Sequence, residues 1–289
     1  MKQNIYSNSF KVFLGLNILL MIGSLLLVND YATIWSGAEA YHLWTAQQAS
    51  AHSPSTLLIE KLYQSIGLSP FGLRLPGVIT LLATAALFYH FGKKVFGRDA
   101  VVLTLLVAGS SFMLIPFGKF ISGDVYLLFA QMAHLLSTIL YLKRPLPRWR
   151  VSNYIFLGIG LSIHPLAMSL WAIGLGVMLW LKHPKRENLK KLYLPVSLML
   201  VALALLGQSY YGLWHFLDFR LSYGQLPAAK AYLLIVISLL PFLGFLPAVL
   251  LDLYRKWKKD EELAVILSAW LLAAVASLSL SLLWVLSFM

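Results

Sequence analysis

The chain has 289 residues, 60% of them hydrophobic and 12% charged, with a formal net charge of +12 and no cysteine. That composition excludes a disulfide framework, a thiolate metal site and a cysteine nucleophile. The basic balance calls for no nucleic-acid partner, because membrane topology and attraction to anionic headgroups account for it.

Crossing the hydrocarbon layer as a helix takes about 20 mainly apolar residues, with about 17–25 tolerated. The first apolar stretch, 12–28, follows a basic start. It reads as a retained helix, since the cleavage-like Ala38-Glu39-Ala40 lies too far beyond it for a secretory signal. Residues 29–75 then form a long non-spanning segment carrying Asp30, Glu39, His42, His52, Glu60, Lys61 and Arg74. Within it, 38–50 holds good helix formers. The run Thr56–Ile66 sets Leu58, Ile59, Leu62, Tyr63 and Ile66 on one face, the pattern of an amphipathic helix in the headgroup plane. Long ordered loops tend to carry function, and a solvated cap on a bundle is the plainer alternative.

Apolar stretches 76–92 and 100–117 come next, followed by the short loop Gly118–Asp124 and the stretch 125–142. Asp124 stands where that last helix begins. The helix dipole favours a carboxylate there, and the same group suits a basic or hydroxylated ligand. A shorter stretch, 151–163, pairs with 166–181 as a hairpin turning at His164-Pro165, because both flanking segments are basic and the chain must cross twice between them. Stretches 192–208, 231–251 and 263–282 complete the pattern. Between the first two lies an aromatic segment, 209–230, with Tyr210, Tyr211, Trp214, His215, Phe216, Phe219 and Tyr223, read as interfacial anchors or as a sugar- or lipid-contacting rim. His90 and His134 fall inside helices, where a histidine either bonds to a neighbouring helix or serves a function.

With the N-terminus inside, all but five of the 23 basic residues lie on one side of the membrane; the exceptions are Lys61, Arg74, Lys119, Arg220 and Lys230. The expectation is therefore an all-α, polytopic transmembrane bundle of about nine helices, a single domain over 1–289, in a bacterial inner membrane with a cytoplasmic N-terminus. No phosphate-binding glycine loop, dinucleotide fingerprint or zinc helix occurs, which disfavours an ATP-driven pump or a dinucleotide enzyme. No internal repeat of the transporter kind is visible. The acidic groups expected on the outer face, Asp30, Glu39, Glu60, Asp124 and Asp218, are the candidates for acid–base or ion-coupling work.

The order of these features resembles the membrane glycosyltransferases of the GT-C fold, in the group of protein O-mannosyltransferases and the lipid A aminoarabinose transferase. The resemblance rests on Phe71-Gly72-Leu73-Arg74-Leu75-Pro76, read as the entry to the second helix, and on the basic turn Phe91-Gly92-Lys93-Lys94-Val95-Phe96-Gly97-Arg98 after it. Ala38-Glu39-Ala40-Tyr41-His42 is similar to the family's Asp-Glu-x-x-Tyr motif, and His52-Ser53-Pro54 to its His-Pro-Pro segment. Ser122-Gly123-Asp124 stands for the second acidic loop, and His164-Pro165 falls where members have Thr-Lys-Gly-Pro. The resemblance covers about 30–180.

It implies a donor sugar linked to polyprenyl phosphate, taken from the outer leaflet, and transfer to a lipid, glycan or protein acceptor. Glu39 is implied as the base and Asp124 as the second acidic group. Arg74 and His164 would meet the donor phosphate, with Tyr41, His42, His52 and Lys119 as further substrate-binding residues. No cofactor is expected, and no ligand spacing marks a metal site. The expected partners are the lipid-linked donor, membrane lipids and a second membrane protein. Three departures keep another reading open, a catalytically inactive subunit that binds a lipid-linked sugar or scaffolds a membrane complex. Ala38 replaces the family's usual acidic residue, His164 replaces its lysine, and the chain ends at Met289 where many relatives continue.

Overall fold

The computed structural model describes residues 70–110, 124–163, 165–182, 186–193, 246–259 and 264–268, together with a few isolated positions. Every element among them is helical, and no strand occurs among the described residues. Helix α1 spans Pro70–Leu87, passes through a π-helical turn at Phe88–Gly92, and ends as the short α2, Lys93–Phe96. Helices α3 (Arg98–Ser110), α4 (Asp124–Lys143), α5 (Pro147–Ile163), α6 (Pro165–Lys182), α7 (Arg186–Tyr193) and α8 (Leu246–Lys258) follow. Two segments, Phe71–Phe96 and Val125–Lys143, are long and apolar enough to cross a membrane, and Ala167–Leu181 is a shorter apolar helix.

The expected stretches 76–92 and 125–142 fall within these two spans. Several boundaries differ from the sequence reading. Helix α1 begins at Pro70, so Pro76 lies inside the helix rather than at its entry, and 70–75 of the expected outer loop are helical. Helix α5 starts at Pro147, four residues before the apolar stretch, because a proline suits the first helical turn, where an amide hydrogen would go unused. Its 17 residues reach about 26 Å at 1.5 Å per residue. Helix α8 continues past 251 to Lys258, and its Lys256 pairs with Asp252 at 2.7 Å one turn earlier. In the expected amphipathic segment, Lys61, Gln64 and Ser65 are helical and exposed. Lys61 Nζ donates to Gln64 Oε1, and the Ser65 hydroxyl donates to the Lys61 carbonyl. Of the expected stretch 12–28 only Gly15, Leu16, Leu19 and Gly23 are described, all helical, and the aromatic segment 209–230 and most of 263–282 lie outside the described residues.

The bundle is organised around α4, on which every position from 133 to 142 is buried. Helix α5 packs against it, α6 folds back on α5, and α7 closes the group. Their shared core contains Leu135, Ile139 and Leu142 from α4, Leu157 and Leu161 from α5, Met168, Trp171, Leu175 and Leu179 from α6, and Leu189 from α7. The opposite faces stay apolar as well: Val151, Ile155 and Ile159 on α5, and Ile173 and Val177 on α6, are exposed. A helix that is apolar on both its packed and its outer face has lipid for a solvent.

Lipid cannot hydrogen-bond a stray polar group, so each needs a partner inside the protein. The side-chain nitrogen of Asn153 on α5 meets this need by donating to the His134 carbonyl, Ser137 Oγ and Thr138 Oγ1 on α4, at 3.2, 3.3 and 2.8 Å. Both hydroxyls donate in turn to that carbonyl. Thr138 Oγ1 has thereby given its proton away, so its 3.5 Å contact with Tyr193 is a bond donated by the tyrosine of α7. Thr80 and Thr84 instead satisfy themselves on the carbonyls of Pro76 and Thr80 one turn back.

Close approach fixes α6 on α5. A Cβ on Gly160 would lie 2.6 Å from Met168 Sδ, inside van der Waals contact, so only glycine lets the thioether seat there. At the basic end, Gly97 (φ 88°) closes α2 and its carbonyl accepts from the Val101 amide to open α3.

Two outcomes follow for unfolding titrations in mixed micelles. Asn153→Leu is expected to cost about 1–2 kcal/mol, the upper part of the range for interhelical hydrogen bonds in membranes; an unchanged midpoint would show that the amide does not hold α5 to α4. Gly160→Ala is expected to cost about 1–3 kcal/mol by overpacking. Its effect should couple to that of Met168→Ala, whereas strictly additive costs would mean the two residues do not press on each other.

Candidate functional site

Two of the charged residues singled out in the sequence, Arg74 and Asp124, stand near the starts of α1 and α4. Val78 and Leu81 of α1 pack against Val125 of α4, with Tyr126 and Leu128 alongside. At the far end of the same helices, Lys143 Nζ of α4 donates to the Val95 carbonyl of α2 at 3.0 Å. The two contacts make α1–α2 and α4 parallel, so both start at the same, non-basic end of the bundle. Helix α5 runs back antiparallel to α4, which brings Ile163, its last residue, and Pro165, the first of α6, to that end too.

Arg74 belongs to the second turn of α1 and shares a face with Val78 and Leu81. It is fully buried, at 0% exposure, and is one of the largest wholly enclosed side chains in the described structure. Sequence reading placed this arginine in an outer loop. The helix instead carries it into the packed face toward α4, one turn from the contact with Val125. Asp124 is the first residue of α4, directly before that contact. One cation and one acid of the expected set are thus brought to the same end of adjacent helices. Glu39, Tyr41, His42, His52, Lys119 and His164 lie outside the described residues. Among the described residues, no group of His, Asp or Glu is assembled that could hold a metal ion.

The two intrahelical histidines separate cleanly. His90 is exposed in the π-helical turn, edge-on to Phe91 at 4.9 Å. His134 is fully buried, and its ring packs against Trp171 at 5.2 Å and Tyr193 at 6.2 Å. The helix-to-helix bonding expected of such a histidine runs through its backbone carbonyl. Neither ring nitrogen has a partner among the described residues. Asn153, the donor that reaches that carbonyl, escaped the sequence reading. Its signal was an amide side chain in the first turns of a segment that must pack among apolar helices.

Burial gives Arg74 a chemical signature. Treatment of the native protein in micelles with an arginine-modifying dicarbonyl is expected to label the exposed Arg98 and Arg144 and to spare Arg74 until the chain is unfolded. Peptide mass spectrometry reads the result, and early labelling of Arg74 would contradict its enclosed position.

A family model described as dolichyl-phosphate-mannose-protein mannosyltransferase matches residues 51–211, more than half of the chain. The matched segment contains His52, Arg74, Lys119, Asp124 and His164, and starts after Glu39, Tyr41 and His42. No curated protein and no solved structure matches the chain.

Proposed function

The chain belongs to the dolichyl-phosphate-mannose-protein mannosyltransferase family, an integral membrane family of GT-C type, and from that membership we propose a polyprenyl-phosphate-dependent glycosyltransferase acting on the outer face. The observation that carries the proposal is the family match running through Arg74 and Asp124, the two expected site residues whose helices begin side by side. The whole chain would act as one membrane domain.

In this reading Glu39 takes the proton from an acceptor hydroxyl. The acceptor oxygen then forms a bond to the anomeric carbon of the sugar while the bond from that carbon to the phosphate oxygen breaks. The polyprenyl phosphate leaves with the electron pair. A positioned carboxylate contributes about 10²–10⁴-fold to such a step. Developing charge on the departing phosphate calls for fixed cations or hydrogen-bond donors; His164 would take the direct contact, and Arg74, enclosed in the packed face, would add its positive charge from behind the lining. Asp124 would steady the acceptor or the base, and Tyr41, His42, His52 and Lys119 would line the substrate.

Ala38, standing where the family usually has an acidic residue, favours a second reading: a GT-C-like subunit that binds a lipid-linked sugar without turning it over. Proteoliposomes with radiolabelled polyprenyl-phosphate sugars separate the two. Transfer by the native chain that falls by about 10²-fold or more in Glu39→Gln, and also in Asp124→Asn, is the expected outcome. Full turnover in both variants would remove these assignments. A native chain that binds donor but never releases sugar would establish the second reading.

A further inference from the structure

The basic end of the bundle is usually explained by topology alone, yet here two of its turns are locked together into one surface. The segments 93–100 and 143–150 carry Lys93, Lys94, Arg98, Lys143, Arg144, Arg148 and Arg150 against a single acid, Asp99. Lys143 is spent on the Val95 carbonyl and ties the end of α4 to α2. A second tie is aromatic: Phe91 of the π-helical turn meets Trp149 of α5 edge-to-face, with ring centroids 5.6 Å apart at 87°. Each ring carries a cation on its own side. Lys94 Nζ sits 5.1 Å from the centre of the Phe91 ring, and the Arg148 guanidinium 5.0 Å from that of Trp149. Two exposed cations are thereby held at the ends of a rigid pair of rings, with donors still free to face an anion.

We propose that this surface binds a phospholipid carrying two phosphate groups, from the leaflet that faces the basic end. Charge complementarity argues for an anion, since the cluster has six cations not committed to a backbone carbonyl and one carboxylate to offset them. The surplus of six cations over one acid argues for more than one anionic group on the ligand, and the aromatic tie brings cations of both segments, Lys94 and Arg148, to one surface. The apolar flank argues for a lipid rather than a soluble polyphosphate. On the face of α5 that carries Arg148, Val151, Ile155 and Ile159 form an exposed stripe at one-turn intervals, a track for acyl chains rising from the headgroup. Basic pockets between transmembrane helices are a recurrent setting for such headgroups. Binding here would clamp the α1–α2 turn to the start of α5, opposite the end that holds Arg74.

The test uses the full chain purified in neutral detergent and exposed to equal amounts of diphosphatidylglycerol and phosphatidylglycerol, with retained lipid read by native mass spectrometry. Preferential retention of the two-phosphate lipid is expected. Lys94→Ala combined with Arg148→Ala should weaken that retention by about 30-fold, the equivalent of about 1 kcal/mol for each cation near an anionic surface. Arg255→Ala combined with Lys258→Ala removes the same charge from α8 and should leave retention unchanged. Equal retention of the two lipids by the native chain would overturn the proposal, as would equal losses in the two double variants, which would mark a diffuse effect of charge.

Discussion

One carbonyl oxygen, that of His134, sets the terms for the packed part of this protein. It lies in the fully buried stretch of α4 and collects bonds from Ser137, Thr138 and the Asn153 amide. In an apolar solvent the Asn153 side chain cannot drift to water, so α5 has one azimuth and one height against α4 at which the nitrogen of that side chain finds its acceptors. The Tyr193 hydroxyl reads the same cluster from α7 and fixes that helix in turn. With α4 held this way, its other end, where Asp124 begins the helix and Val125 meets Val78, has a defined place relative to Arg74. Lys143 of the same helix binds the Val95 carbonyl, so α4 is the member through which α1–α2 and α5–α7 are held together.

Apolar length is legible in a sequence, because crossing a bilayer is a demand on length and composition, and the stretches 76–92 and 125–142 fall within helices of spanning length. It could not tell which face of such a helix is packed, since lipid and protein accept the same side chains. On α4 leucines surround the axis and four of the six are buried, whereas on α5 the apolar Val151, Ile155 and Ile159 face outward. Helix ends were legible only in part. Pro76 looked like a helix start, but α1 begins at Pro70 and takes Pro76 into its interior, which moves Arg74 from an outer loop into a buried face. Pro147 and Pro165, by contrast, do open their helices. The family resemblance supplied what physics alone does not encode, a reason to place Glu39, Asp124 and Arg74 in one reaction. Only Arg74 and the position of Asp124 belong to the described structure.

The enclosed Arg74 also bears on how the site would be tuned. The packing that encloses it holds its planar fork of donors in one place. A histidine at 164, beside the α5–α6 junction, would add a charge that varies near neutrality. A lysine at that position would not vary in this way, so the departure from the family pattern changes the pH response expected at that end.

Helix α5 finally constrains how the protein is made. It opens with Arg148, Arg150 and Asn153, and it is not among the segments apolar enough to cross a membrane by themselves. Presented alone to the hydrocarbon layer, it would carry an amide with nothing to bond and cations at its leading edge. Its carbonyl and hydroxyl partners stand ready on α4, which the ribosome delivers first, and its Gly160 notch is filled by Met168 of α6, which arrives next. Biogenesis therefore has to hold α5 at the insertion machinery beside α4 until α6 emerges, so that the three helices enter the bilayer as one cargo.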